Sequence, residues 1–179
     1  MLPPSISYQR WCSQLEDATV IHALQPRTST LFLDIYVDAS TSWGVGLLWG
    51  RKWVAWQAVD GWKGPCHDIG WLEGVAVELT IYALVEHGLH DCCVRVYSDN
   101  DRVIGAFDKG RSRNFKVNLS ICRVSILMAS RNITLDLEYI ETSKNPADLV
   151  SRGILGCEND RLPLDIKLPK ELWGFFHHV

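Results

Sequence analysis

Alternating apolar and polar residues predict the first strand of a sheet. From position 31 the chain reads LFLDIYVDAS, in which apolar side chains recur at every second position, as in a strand with one buried face. Two further strand-like runs follow, GVGLLW and KWVAWQAV, joined by a turn at Gly50 and Arg51. These three runs predict an antiparallel meander.

The apolar period then becomes helical. Between Ile69 and His87 apolar side chains recur every three to four residues, and Gly88 is placed to end the helix. A strand-like run, CCVRVYSD, comes next, and a short helix near NDRVIGAF and a longer helix follow it. ITLDLEYI alternates again, and NPADLVSRG begins a last helix. The order predicts an α/β fold whose five-stranded mixed sheet has three antiparallel strands, then two parallel strands, and helices on both faces.

Composition adds the domain organisation. The chain has 179 residues, of which 47% are apolar and 22% charged, and this suits one folded domain with extensions. We expect an N-terminal extension over 1–30 that includes a short helix, a folded domain over 31–154 and a proline-punctuated tail over 155–179. No apolar run has the length of a membrane span or a signal peptide, and the six cysteines show no CxxC pair. We therefore expect an intracellular protein, in the cytoplasm or nucleus, that does not bind a membrane.

Positive charge is concentrated in one segment. The net charge is −3, yet the stretch from Arg102 to Arg131 holds seven basic residues and one acid, so the rest of the chain carries −9. The loop KGRSRNFK contains four of the basic residues: Lys109, Arg111, Arg113 and Lys116. Such a cluster favours contacts with nucleic-acid phosphates that do not read sequence; the alternative is a solvated loop.

Four acids stand at or near the ends of predicted elements: Asp38, Glu73, Asp99 and Asp148. If the predicted order holds, the first and fourth strands are neighbours, and the helices bring the other two acids to the same edge. Carboxylates gathered there would repel one another and be costly to desolvate without cations. Hard oxygen ligands favour Mg²⁺ or Mn²⁺, and two such ions about 4 Å apart can activate water and stabilise the leaving oxygen in phosphodiester hydrolysis.

Each acid has an alternative interpretation. Asp34 shares a strand face with Asp38 but lies about 13 Å from it, so the two cannot serve one site. Glu78 lies about 140° around the helix from Glu73, and we expect it to be a solvated helix residue. Asp38 would otherwise form a turn, and the last two acids would otherwise cap or complement helix N-termini.

The four strings YVDASTSWGVG, IGWLEGVAVELTIYAL, VYSDN and YIETSKNPADLVSRG together resemble the ribonuclease H domain of retroelement reverse transcriptases, over roughly residues 31–154. The helix and the NxAD-x-x-SRG ending are similar to those of LTR retrotransposons and of retrotransposons that encode a tyrosine recombinase. The resemblance implies a ribonuclease H-like fold and cleavage of the RNA strand of RNA–DNA hybrids with two Mg²⁺ ions, for which Mn²⁺ can substitute. Residues 1–30 would then be what remains of a connection to a polymerase segment, which is an expected partner.

The resemblance also implies roles for individual acids. Asp38 would bridge both metal ions, Glu73 and Asp99 would complete one metal site, and Asp148 would hold the ion that activates the water.

Nucleic-acid contacts are implied in the same way. Ser40, Gly44 and Gly46 match positions where the RNA backbone approaches and where 2′-hydroxyl contacts distinguish RNA from DNA. Asn100 matches a residue that contacts the minor groove. The four basic residues of KGRSRNFK match a basic segment that some members of the family carry.

Two alternatives stay open. Tyr139 stands where retroelement relatives often carry a histidine, which leaves a nucleic-acid-binding or scaffold module with weak or no turnover as one alternative. The other is a DNA nuclease of the same superfamily, of the integrase or transposase type.

Overall fold

The computed structural model describes residues 30–179, which build one mixed sheet with helices against it. The strands are β1 (Thr30–Ala39), β2 (Gly44–Trp49), β3 (Lys52–Ala58), β4 (Cys92–Ser98), β5 (Ile133–Tyr139) and β6 (Phe176–His178). The helices are α1 (Ile69–Glu86), α2 (Asp101–Asp108), α3 (Phe115–Arg131) and α4 (Ala147–Ser151). Short 3₁₀ turns lie at Thr142–Lys144, Glu158–Asp160 and Lys170–Leu172. Residues 1–29 of the predicted N-terminal extension, with its short helix, lie outside the described residues.

The strand order is β5-β4-β1-β2-β3-β6. β1, β2 and β3 pair antiparallel, and β4 and β5 extend the sheet from β1 in parallel. The predicted order of three antiparallel and two parallel strands is confirmed. The strand count was wrong by one, because three residues near the C-terminus form β6 and pair with β3, with Phe176 opposite Ala58. So short a strand carries no alternation that the sequence would reveal.

Both faces of the sheet are covered, as predicted. Ile35 and Val37 of β1 belong to the main core with α1, α2 and α3, whereas Trp53 and Ala55 of β3 pack on the other face against Val150 of α4. The two-residue period of the strands therefore sends alternate side chains into separate apolar layers. Within residues 30–179, no helix combines the length and apolar character that crossing a membrane requires.

Helix α1 is buried nearly all the way round, which overturns one expectation. Every residue from Trp71 to Ile81 is buried, and α3 packs beside α1. The prediction that Glu78 is solvated was wrong: its side chain is 0% exposed, and its two oxygens accept hydrogen bonds from the Arg123 guanidinium of α3 at 2.5 and 2.8 Å. The helical period separated Glu78 from Glu73 correctly, but it could not show that a second helix covers that side.

The C-terminal tail packs into the same core as the sheet. It contributes four buried apolar side chains: Leu162, Ile166, Leu172 and Phe176. The indole nitrogen of Trp53 also donates a 3.0 Å hydrogen bond to the Cys157 carbonyl of this tail. The division of the chain at residue 154 stays a prediction, and the tail's buried side chains give it a direct test.

Candidate metal centre

Three carboxylates converge where two parallel strands end. Asp38 lies at the end of β1, Asp99 directly follows β4, and Glu73 lies in the first half of α1. One oxygen of each lies within 4.8 Å of the other two. Because β1 and β4 are parallel neighbours, their carboxyl ends reach the same edge of the sheet, and α1 packs across β1 there. We call Asp38, Glu73 and Asp99 the acidic triad.

Burial changes the protonation of Asp38. The residue is 4% exposed, and its removal from water is the main cause that raises the pKa of its carboxyl to about 6. The negative charges of Asp99 and Asp148 raise this pKa further, whereas a hydrogen bond from Ser151 and one from the Ala39 backbone lower it. Asp38 therefore carries its charge near neutral pH only with help from these donors.

Burial raises the pKa of Glu73 more than that of Asp38. Burial raises the pKa of its carboxyl to about 9, and the charges of Asp38 and Asp99 act in the same direction. A hydrogen bond from the Asn100 side chain lowers this pKa in part. Without a cation, Glu73 therefore holds a proton at neutral pH.

The donor set fits a hard divalent cation. Oxygen ligands from three carboxylates are what Mg²⁺ and Mn²⁺ prefer, and a doubly charged ion would offset the burial and the mutual repulsion that raise the pKa values of Asp38 and Glu73. Asp38, Glu73 and Asp99 are the residues that would hold it. Without a cation, carboxylates as buried as these could stay close to one another only if some of them were protonated.

Asp148 lies at the edge of the acidic triad. It stands in the first turn of α4, close enough for its charge to raise the pKa of Asp38. Both of its carboxylate oxygens accept hydrogen bonds from the Arg152 guanidinium, at 2.8 to 3.0 Å. Of the four predicted acids, the structure gathers three in one cluster and engages the fourth in an ion pair beside it.

Helix α4 is fixed against β1 and β2 by two contacts and a glycine. The amide nitrogen of Asn145 donates to the Val37 carbonyl at 3.1 Å, and the hydroxyl of buried Ser151 donates to Asp38 Oδ2. A Cβ at Gly46 would collide with the Ser151 backbone nitrogen, so only glycine allows α4 to approach β2 this closely. The sequence motif contained Asn145 and Ser151, but nothing in its pattern assigned them these partners.

The residues predicted to meet the RNA backbone have internal roles. Gly44 is buried, and a Cβ there would collide with the Trp56 carbonyl, so packing inside the sheet already requires glycine. Ser40 is also buried, and its hydroxyl shares a 2.7 Å hydrogen bond with that of Ser42. Contact of Ser40 and Gly44 with nucleic acid stays a prediction.

Asn100 links the triad to α2. Its side-chain oxygen accepts hydrogen bonds from the backbone nitrogens of Arg102 and Val103, which caps the helix, and its side chain also hydrogen-bonds to Glu73. Asn100 thus holds the β4–α2 turn in place beside the acids. Its predicted contact with a minor groove stays a prediction.

The basic loop lies between α2 and α3. Lys109, Arg111 and Arg113 are exposed, and Lys116 is partly buried in the first turn of α3. Asn114 caps α3 by accepting from the Lys116 nitrogen, and its amide donates at 3.0 Å to the carbonyl of Cys66, just before α1. The loop is therefore attached to the segment that leads into the helix of Glu73. Its contact with phosphates stays a prediction.

Comparison with known proteins gives likenesses of fold only. No family model matches the chain, and no curated protein matches it. Similar solved structures include RNase H1 from the halophilic archaeon Halobacterium salinarum NRC-1, at 13% identity and TM-score 0.44 over 66% of this chain and 91% of that chain. Another is the N-terminal RNase H domain of Rv2228c from Mycobacterium tuberculosis, solved as a fusion with maltose binding protein, at 12% identity and TM-score 0.45 over 71% of this chain and 96% of that chain.

At these identities and TM-scores, neither structure decides anything about the site. The residues that the structure describes form a mixed α/β domain, and the directions of its first five strands are those predicted from the sequence.

Proposed function

We propose that this chain hydrolyses the RNA strand of RNA–DNA hybrids with two divalent cations, Mg²⁺ or Mn²⁺, and that it derives from a retroelement reverse transcriptase. The observation that carries the proposal is the convergence of Asp38, Glu73 and Asp99 from a strand, a helix and the neighbouring parallel strand. The four motifs that resemble retroelement ribonuclease H domains supply the substrate class.

The chemistry assigns separate tasks to the acids. A bound divalent cation supplies the charge that makes a water nucleophilic and that stabilises a leaving oxygen. Asp38, Glu73 and Asp99 would hold one cation, and Asp38 and Asp148 would hold the other, for which Asp148 would have to exchange its ion pair with Arg152. Cleavage of this type leaves 3′-hydroxyl and 5′-phosphate ends.

The substrate approaches across the same edge of the sheet. Lys109, Arg111, Arg113 and Lys116 lie in or next to the loop that Asn114 attaches to the segment before α1, and they bind phosphates without reading sequence. Ser40 directly follows β1, Gly44 begins β2 and Asn100 directly follows Asp99, at the end of the sheet where the RNA backbone has to come close for its phosphate to reach the cations.

Two observations favour a second candidate function. Arg152 occupies both oxygens of Asp148, and Tyr139 stands half-exposed at the end of β5, where related sequences often have a histidine. A module that keeps the triad and binds hybrids, but turns over slowly or not at all, accounts for both features. A DNA nuclease of the same superfamily would use the same acids on another substrate.

A substrate panel separates these candidates. The assay follows an end-labelled RNA strand in a hybrid, together with duplex RNA and duplex DNA, in the presence of Mg²⁺ or EDTA. We expect Mg²⁺-dependent cleavage of the hybrid alone, and its loss in Asp38→Asn and Asp99→Asn proteins. The control is Asp34→Asn, since Asp34 is an exposed acid in the middle of β1, four residues before Asp38.

Each outcome points to one candidate. Unchanged cleavage by Asp38→Asn protein would overturn the mechanism, and cleavage of duplex DNA in preference to the hybrid would indicate the DNA nuclease. Hybrid binding without cleavage by the parent protein would indicate the binding module.

A further inference from the structure

The hydroxyl of Ser151 reaches Asp38 of the acidic triad from α4, which covers the face of the sheet opposite to α1. Ser151 is the last residue of α4 and is 0% exposed, so water cannot replace its contacts. Its Oγ donates to Asp38 Oδ2 and also lies 2.9 Å from the Asp148 carbonyl. A hydroxyl has one hydrogen to donate, and the charged carboxylate is the stronger of these two acceptors.

The position of Ser151 is fixed by backbone packing. Gly46 lets the end of α4 contact β2 directly, since any Cβ there would collide with the Ser151 nitrogen. At the other end of the helix, Asn145 is hydrogen-bonded to Val37, the residue before Asp38. The serine hydroxyl therefore meets Asp38 from a direction that the fold determines at both ends of α4.

We propose that Ser151 is a positioning residue that holds one oxygen of Asp38, so that the carboxylate presents its other oxygen to a divalent cation shared with Glu73 and Asp99. The inference rests on the proposed function only in treating Asp38 as a metal ligand. Outer hydrogen bonds of this kind orient ligating side chains, and their loss typically weakens metal binding about 10- to 100-fold.

The first test measures Mn²⁺ binding to the full chain by calorimetry, without nucleic acid. We expect Ser151→Ala to weaken binding at the tighter site by about 10-fold and Ser151→Thr, which keeps a hydroxyl, to restore most of the affinity. Ser125→Ala is the matched control, because Ser125 is exposed on α3. Parental Mn²⁺ affinity in folded Ser151→Ala protein would overturn the proposal. If the alanine protein does not fold, the same comparison is made with Ser151→Cys, because a cysteine side chain fills a similar volume and its thiol is a weaker hydrogen-bond donor than the hydroxyl.

The second test separates positioning from packing through a double-mutant cycle. Urea unfolding in EDTA compares Ser151→Ala in the parent with Ser151→Ala in an Asp38→Ala background. If Ser151 acts through Asp38, the substitution lowers the folding equilibrium constant about 10-fold more in the parent than in the Asp38→Ala background. An equal loss in both backgrounds would mean that Ser151 only fills space.

The outcomes for Ser151 and for the proposed function are distinguishable. If the parent binds Mn²⁺ and Ser151→Ala weakens this binding, but the parent cleaves no hybrid, the positioning role stands and the nuclease proposal fails. If the parent cleaves hybrids and Ser151→Ala binds Mn²⁺ as tightly as the parent, the nuclease proposal stands and the positioning role fails.

Discussion

The Arg152 guanidinium donates hydrogen bonds to both carboxylate oxygens of Asp148 across one turn of α4. Asp148 is the acid that the ribonuclease H resemblance assigns to the second cation, and this ion pair competes with that role. The first of the two cations should therefore bind at the acidic triad more tightly than the second binds near Asp148.

Removal of the Arg152 charge should favour the second cation. We expect Arg152→Gln to tighten the weaker of two Mn²⁺ binding steps by roughly 3- to 10-fold, because Asp148 loses a competing partner and the site loses a nearby positive charge. Calorimetric titration measures both steps. Arg131→Gln, at the exposed end of α3, is the control. Weaker or unchanged second-step binding in Arg152→Gln protein would contradict this account of the ion pair.

The buried pair between α1 and α3 predicts a stability effect. Arg123→Ala should lower the free energy of unfolding by about 3–5 kcal/mol at neutral pH, because it leaves the Glu78 carboxylate buried without its counter-charge. Burial already raises the pKa of Glu78, and loss of Arg123 raises it further, so the cost should shrink as falling pH protonates the carboxyl.

Urea unfolding at neutral and mildly acidic pH measures this cost. Arg131→Ala is the exposed control and should change the free energy of unfolding by less than about 0.5 kcal/mol. A cost for Arg123→Ala that stays the same or grows at the lower pH would show that Glu78 is not the group left unpaired.

The metal-free protein should lose stability as pH rises. The pKa values of Glu73 and Asp38, about 9 and about 6, exceed their ordinary values of 4.5 and 3.8, so the folded chain holds protons that the unfolded chain releases. This stabilisation is complete below the ordinary pKa values and is lost as pH rises through the folded ones. Thermal unfolding in EDTA should therefore show Tm falling from about pH 5 to about pH 9.

Glu73→Gln removes the larger share of this pH dependence. Glu86→Gln, at the exposed end of the same helix, should leave it unchanged. Added Mg²⁺ should raise Tm more at high pH than at low pH, because the cation competes with protons for the same oxygens. A parental Tm that is independent of pH in EDTA would show that these carboxyls are not buried together.

The basic loop should contribute to hybrid binding through phosphates alone. Replacing Lys109 and Arg113 by alanine should reduce the slope of log affinity against log salt by about 2, with equal effects on hybrids of different sequence. The control replaces Arg51 and Lys52, which are exposed at the β2–β3 turn, at the end of the sheet away from the triad. An unchanged salt slope in the Lys109 and Arg113 variant would show that the loop is exposed to solvent and does not contact the phosphates.

The C-terminal tail should be required for folding. Truncation after Ile154 removes Leu162, Ile166, Leu172 and Phe176 from the core, and each buried side chain is worth about 1.5–3 kcal/mol against a usual total stability of about 5–15 kcal/mol. We expect the truncated chain to show no cooperative unfolding by circular dichroism, whereas Trp173→Ala, at a 62% exposed position, should unfold much like the parent. A truncated chain with the parental Tm would confirm residue 154 as a domain boundary.

Local patterns in the sequence predicted most of the fold. Alternation in β1 and β5 and the helical period of α1 are set by neighbouring residues, so their elements were predicted within a residue or two. Asp38 and Asp99 could be placed together because parallel strands end at one edge. β6 was missed because it is held by its pairing with β3, which is distant in sequence.

The rest of the site depends on contacts between distant elements. Glu78 meets Arg123 only because α3 crosses α1, and Ser151 meets Asp38 only because Gly46 admits α4. The pairing of Asp148 with Arg152 was within reach of the sequence, since residues four apart on a helix are neighbours. In the sequence NPADLVSRG, Arg152 follows Asp148 by four positions, and this spacing already indicated the pair.

Crystals soaked in Mn²⁺ test the central claim most directly, through the anomalous signal of the ion. We expect one strong peak coordinated by oxygens of Asp38, Glu73 and Asp99, at about 2.0 to 2.2 Å from each, and a weaker second peak on the side of Asp148. A soaked crystal with ordered triad side chains and no anomalous peak among them would contradict the account.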